Sequence, residues 1–262
     1  MGIVRCKNVK AFWDARAKEH TKQKEVTHRD IWQRWLEIEQ IKHFLRPKDR
    51  VLDVGCGNGY TTGEICRCVR EVVGIDYSRQ MILRADRELR GKARKNVRFA
   101  VRDVLDLAPE DFGRFDAAIT ERCLINLPSW KEQQRALANI AAVLKPGGRL
   151  IFVEGGRSGR DHLNRLRKRV GLSAMPIVWH NRDFEEQRLL RSVTRHFLVE
   201  ERLSFGVYDF ISRVVYPLVV HPREPEYDSP FNQIAATVAL QYSALDPISR
   251  IIFLVLKKKA HI

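Results

Sequence analysis

Three glycines at alternate positions, Gly55, Gly57 and Gly59, follow the run Val51-Leu52-Asp53-Val54. Glycine tolerates φ > 0 and lets a ligand reach the backbone with no Cβ in the way. The spacing is G-x-G-x-G, not the G-x-G-x-x-G of dinucleotide sites, and no G-K-[ST] follows to grip phosphates. Asp53, inside the run, would repel a phosphate and suit an ammonium group. Asp76 lies about 20 residues beyond the turn, where dinucleotide folds bind ribose hydroxyls, and the same geometry serves any adenosine ligand. Two further residues are candidates for proton transfer. His180 sits between Trp179 and Asn181 in an irregular segment and titrates near neutrality. Glu154 is the second candidate base; its other use would be as a charge partner for nearby arginines.

The elements that must position these groups can be read from the chain. β-formers leading into a glycine turn and then a helix make the ligand-binding corner of a doubly wound α/β sheet. Thr61 with Glu64 reads as a capping box for that helix. The second strand is residues 71–75, ending at Asp76. Ser78 caps the next helix, and Met81 lies on its first turn, where a thioether can pack on adenine. Strand three is residues 97–101, followed by Asp103, which could also simply start a turn. Strand four is residues 115–120, and the segment after it lies at the carboxyl edge where ligands sit. Ser129 with Glu132 caps a helix running to Val143, Lys145-Pro146-Gly147-Gly148 stops it, and strand five is residues 149–154. A basic stretch follows, with Arg157, Arg160, Arg165, Arg167, Lys168 and Arg169. Beyond it are a helix over residues 184–193, strand six over 198–205, and an insertion with Tyr208, Arg213 and Tyr216. A helix over 231–242 comes next. The last strand, 250–256, is apolar enough for a central position. Ahead of the sheet, Ile31, Trp35, Ile38, Ile41 and Leu45 form one apolar helical face ending at Pro47. That helix would cover the sheet and could act as a lid.

The chain has 262 residues and no internal repeat or composition break to mark a second domain. No apolar run approaches the ~20 residues of a membrane span. The Met1-Gly2 start has no apolar signal core and Lys7 breaks the myristoylation pattern, so the expected location is cytoplasmic. Five cysteines without a signal peptide argue against a disulfide framework, and no ligand spacing argues for a metal. A net charge of +15 favours acidic partners without choosing among nucleic acid, anionic glycan, phosphorylated substrate or membrane.

V-L-D-V-G-C-G-N-G resembles motif I of the class I S-adenosylmethionine-dependent methyltransferases. G-I-D-Y-S-R-Q-M-I is similar to the motif that follows it, and L-K-P-G-G-R-L is another such stretch. The resemblance runs from residue 50 to residue 155. It implies an α/β, doubly wound Rossmann-like sheet, mostly parallel with an antiparallel last strand and helices on both faces. It implies one domain over 1–262: a helical cover (1–47), a cofactor-binding core (48–155), and insertions (156–195 and 206–247) that shape the acceptor pocket. The cofactor would be S-adenosyl-L-methionine. Its amino-acid part would lie by Gly55, Gly57 and Gly59, its ribose on Asp76, and its adenine on Asp103 and the Val104 N–H. Trp13, Arg16, Asp53, Thr61, Tyr77, Met81 and Glu121 join the expected cofactor contacts. The [DNS]-P-P-[YFW] of base-amine enzymes is missing, since Thr120-Glu121-Arg122-Cys123 stands there. Cys123 also lacks the Pro-Cys context of carbon-5 pyrimidine enzymes. The expected acceptor is therefore a small metabolite or sugar-like hydroxyl, an anionic one included, with His180 or Glu154 as base. RNA methylation through the basic surface, and a non-catalytic cofactor-binding protein, are the alternatives.

Overall fold

Residues alternate between two apolar environments along each central strand, as a period of two requires when both faces are covered. Leu52 and Val54 enter one core cluster and Val51 the other. Leu150 and Phe152 divide from Ile151 and Val153 in the same way. The computed structural model describes residues 8–19, 26–90 and 95–260, so Cys6 and the Met1-Gly2 start lie outside the described residues. The strands are β1 (Arg50–Val54), β2 (Glu71–Asp76), β3 (Val97–Val101), β4 (Phe115–Glu121), β5 (Leu144–Gly155), β6 (Phe197–Leu203) and β7 (Ile251–Lys258). They form one sheet in the order β3-β2-β1-β4-β5-β7-β6. The pairings from β3 across to β5 are parallel, and β7 runs antiparallel to both β5 and β6. The doubly wound sheet with a reversed last strand agrees with the sequence.

The helices are α1 (Val9–Glu19), α2 (Ile31–His43), α3 (Tyr60–Ile65), α4 (Arg79–Arg90), α5 (Pro109–Phe112), α6 (Trp130–Val143), α7 (Arg157–Arg169), α8 (Glu186–Val193), α9 (Gly206–Phe210), α10 (Tyr216–Val220) and α11 (Pro230–Gln241). A π-helical segment, Ile211–Val215, joins α9 to α10. On one face α6 and α8 pack with Ala136, Leu137, Ile140 and Leu189; on the other, α2 and α11 pack with Leu36, Ile41, Ala235 and Ala236.

Several elements differ from the sequence expectation, each for a local reason. α3 does not open with a Thr61–Glu64 capping box. Its N-cap is Gly59 in the left-handed region, and the Thr61 hydroxyl donates instead to Glu121 Oε2 at 2.6 Å. The caps at Ser78 and Ser129 are present: Met81 N donates to Ser78 Oγ, and Glu132 N to Ser129 Oγ. β6 stops at Leu203 because Ser204 leaves the ladder to bond Ser243 and Ala244. α1 has almost no apolar stripe and buries Ala17. α7 buries Gly159 and Leu163, too thin a stripe to announce a helix. The run 206–220 is apolar on most sides, which hides its helical period.

Candidate active site

The carboxyl ends of β1, β2 and β4 open into a cleft of about 1030 Å³, roofed by α1 and walled by residues 175–181. Its floor begins at the glycine turn. Gly55 and Gly57 have φ of 73° and 54°, and the Gly55 N–H donates to Ile75 O at 2.8 Å. A Cβ on Gly55 would stand 2.3 Å from Cys123 Sγ. Both glycines line the cleft, but Gly59 does not. Gly59 instead turns the chain into α3 and packs where a Cβ would meet the Phe99 ring at 2.7 Å. Its place in the structure is thus that of a turn and packing residue.

The three aspartates expected to hold an adenosine ligand all line this cleft. Asp53 is 2% exposed and accepts from the Thr62 hydroxyl at 2.6 Å; burial raises its pKa to about 7. Asp76 uses one oxygen for Gly57 N (3.0 Å) and the other for Ser78 N (2.8 Å). Each oxygen keeps a second acceptor position for a further donor. Burial pushes the Asp76 pKa up to about 6. Asp103 caps the short turn Val104–Asp106 through Leu105 N at 2.9 Å, so the turn reading and the cleft placement both hold. Tyr77, Met81 and Val104 line the same end. These groups fit S-adenosylmethionine: carboxylates stand where a diol and an amino group need acceptors, and two glycines leave room where a Cβ would intrude.

α1 lies over this end and is tied down at several points. Ser78 Oγ donates to Asp14 Oδ1 at 2.5 Å, and Arg84 Nη1 to Ala17 O at 2.9 Å. Trp13 and Arg16 line the cleft from it, Arg16 also donating to Val26 O.

His180 enters the cleft from the segment between α7 and α8. Phe12, Trp13 and Trp179 surround its ring at centroid distances of 4.6, 5.3 and 5.2 Å. Its Nδ1 lies 2.8 Å from Asn126 Oδ1. That amide's orientation is fixed twice over. Asn126 Nδ2 donates to Arg122 O at 2.7 Å, and Trp13 Nε1, which can only donate, points at Oδ1 at 3.3 Å. Oδ1 is therefore an acceptor, His180 Nδ1 carries the proton, and Nε2 is left as the basic nitrogen. Burial lowers the His180 pKa, which keeps the ring neutral.

Glu154, the other expected base, is outside the cleft. It is fully buried and accepts from the backbone N–H groups of Cys123 (3.1 Å), Leu124 (2.9 Å) and Ile125 (3.2 Å). Burial raises its pKa to about 7. Its carboxylate anchors the turn after β4 and does not line the cleft. Burial, with Glu154 nearby, pushes the Cys123 thiol well up, which disfavours the thiolate that a nucleophile needs.

Sequence reasoning missed one wall. Arg34 of α2 stacks over the Tyr60 ring at 4.4 Å, and its Nη2 lies 3.4 Å from Thr61 Oγ1, near Glu121. Arg122, at φ 52°, pairs with the buried Glu37, whose pKa burial pushes up against the opposing pull of that guanidinium. Arg213 and Arg250 complete this cationic side, with the His28 ring beside them. Arg34 and Glu37 sit three apart beside the apolar stripe of α2, a visible signal. Asn126 was likewise visible as the one amide in the apolar turn after β4.

Residues 51–148 match the family model described as a methyltransferase domain. This segment is a methyltransferase domain of the class I type, and its cofactor is S-adenosylmethionine. Over 119 residues the chain is 34% identical to a protein-L-isoaspartate O-methyltransferase of Nitrobacter winogradskyi, covering 45% of this chain and 50% of that protein. It is 34% identical over 107 residues to a demethylmenaquinone methyltransferase of Lactococcus lactis, covering 40% and 41%. The chain thus spans about half or less of the curated relatives it matches. Among solved structures, magnesium protoporphyrin IX methyltransferase from Synechocystis PCC 6803 shares the fold, with a TM-score of 0.61, 16% identity, and 96% of each chain covered.

Proposed function

We propose that this chain transfers a methyl group to the hydroxyl of a small, sugar-like or metabolite acceptor, with His180 as general base. S-adenosylmethionine, when bound, supplies a methyl on a sulfonium that leaves as a neutral thioether. Asp76, Asp103 and the glycine turn would hold it, with Asp53 and Arg34 toward its charged end. The segments 175–181 and 206–247 supply Met175, Val178, Trp179, Arg213 and Tyr227 to the open side, where an acceptor would enter. His180 Nε2 takes the hydroxyl proton as the oxygen attacks.

The observation that carries the reading is the Asn126 amide, which commits the His180 proton to Nδ1 and leaves Nε2 as the basic nitrogen of a residue that lines the cleft. General-base assistance is worth roughly 10²–10⁴ in rate. The test is a screen of cofactor-loaded protein against hydroxyl acceptors, followed by His180→Ala and His180→Asn with the best one. Both variants are expected to lose kcat by about that range while cofactor affinity stays within about twofold. Near-normal kcat in both would reduce the imidazole to a structural role. Among the described residues, no helix is long and apolar enough to cross a membrane.

A further inference from the structure

The cationic wall of the cleft carries more than the proposed methyl transfer uses. Arg213 projects from the π-helical segment, is 8% exposed and lines the cleft. Its Nη2 donates to Asp30 Oδ2 and approaches Gln33 Oε1 at 3.5 Å, while its Nε has no hydrogen-bond partner. Arg250 Nη2 donates to the same Gln33 Oε1 at 3.0 Å, and its Nε donates to Asp209 at 2.8 Å. His28 lines the cleft beside them, and its Nδ1 is buried without a partner. Burial and the guanidinium groups of Arg122, Arg34, Arg213 and Arg250 push the His28 pKa well below its ordinary value. Tyr227, 45% exposed, forms an aromatic side of the same region, with Arg213 5.3 Å from its ring centroid.

A guanidinium Nε–H can only donate, and leaving it buried and unpaired forfeits its hydration without replacing it. Placed among several guanidinium groups, such a donor is matched best by an oxyanion, which forms charge-assisted bonds there. An ammonium or sulfonium is matched better by the Asp53 carboxylate, which also lines the cleft.

We propose that the wall formed by Arg213, Arg250 and His28 is an oxyanion subsite that holds a carboxylate or phosphate group of the acceptor. This rests on the small-molecule reading of the cleft. The anion docks against Arg213 with its organic body along Tyr227, and the hydroxyl to be methylated points toward His180. Asp30 sets the strength of the subsite, because its carboxylate competes with the ligand for the same guanidinium.

The test is calorimetry on protein loaded with S-adenosylhomocysteine, titrated at constant ionic strength with benzoate, inorganic phosphate and phenyl phosphate. One-to-one binding of at least one anion is expected. Arg213→Gln should weaken it at least tenfold. Asp30→Asn keeps an oxygen for the Gln33 N–H at the start of α2 but removes the competing charge. It should therefore bind the anion several-fold more tightly, although its melting temperature falls. A merely structural ion pair would not produce that gain, and the Asp30 variant keeps the test decisive if Arg213→Gln fails to fold. Tighter binding of benzoate identifies a carboxylate source, and of phenyl phosphate a phosphate ester; either supports the subsite. No saturable binding, or equal affinity in Asp30→Asn and the unaltered protein, overturns it. If the anions bind as stated but no anionic hydroxy compound is methylated, the subsite stands and the His180 reading fails.

Discussion

Cofactor binding should release protons, and the amount follows from two buried carboxyls. Burial raises Asp53 to about 7 and Asp76 to about 6. At about pH 6.5 the ligand-free protein then holds about three-quarters of a proton on Asp53 and about a quarter on Asp76. A bound ammonium beside Asp53 and ribose hydroxyls donating to Asp76 both favour the ionised forms. Binding S-adenosylmethionine should therefore expel close to one proton at that pH. By linkage, affinity should fall about twentyfold between about pH 8 and pH 6. Titration calorimetry in two buffers of different ionisation enthalpy measures the proton count directly. Asp53→Asn should remove most of the release and leave a remainder of about a quarter of a proton. Heats that do not depend on the buffer, or full release in Asp53→Asn, would refute the assignment of these carboxyls to the cofactor.

Without cofactor the same groups act on folding. Asp53, Asp76 and Glu154 have folded pKa values above their ordinary ones, so the folded state binds these protons more tightly than the unfolded chain. Their contribution to stability is greatest in acid and is lost as pH rises to about 7, which a denaturant titration from about pH 5 to pH 8 would register as falling stability. Asp76→Ala should weaken cofactor binding at least about tenfold through lost charge-assisted hydrogen bonds. It should also lower the melting temperature without ligand, because the Gly57 and Ser78 N–H groups lose their acceptor. Gly59→Ala should lower stability by about 1–3 kcal/mol or more, since a left-handed backbone and the Phe99 ring both oppose the new Cβ. A melt of ligand-free protein is the measurement, and an unchanged midpoint would contradict the packing role. Charge reversal at the exposed Arg165 and Lys168 should leave turnover of a small acceptor nearly intact. A large loss restricted to an RNA substrate, with steep salt dependence, would instead favour nucleic acid.

The cofactor half of the fold was legible because each of its signals is local. The glycine turn, Asp76 at the end of β2 and Asp103 after β3 lie within a few residues of the strand that aims them. His180 could be named from its flanking Trp179 and Asn181, yet its decisive partner is Asn126, distant in sequence. Glu154 shows the opposite failure. A carboxylate at the end of a central strand looks catalytic until three backbone N–H groups turn out to occupy it. The arginine wall was hidden for a different reason. Arg34, Arg122, Arg213 and Arg250 come from separate elements, and in a chain of net charge +15 no single arginine stands out.

The placing of β7 between β5 and β6 has a consequence for synthesis on the ribosome. β1 to β5 can pair among themselves once residue 155 has emerged, so the cofactor-binding corner can form early. β5 and β6 both wait for β7 to join them, and β7 begins only at Ile251. At about 5–20 residues per second, the roughly hundred residues in between take about 5–20 s to make. Throughout that interval the nascent chain presents an apolar strand edge at β5, the kind of template that invites pairing with another chain. The buried Phe253, Leu254, Val255 and Leu256 then close the sheet from both faces in one late event. A chain cut before β7 would keep every residue of the glycine turn and still leave that edge open, so its expected fate is aggregation rather than a smaller working domain.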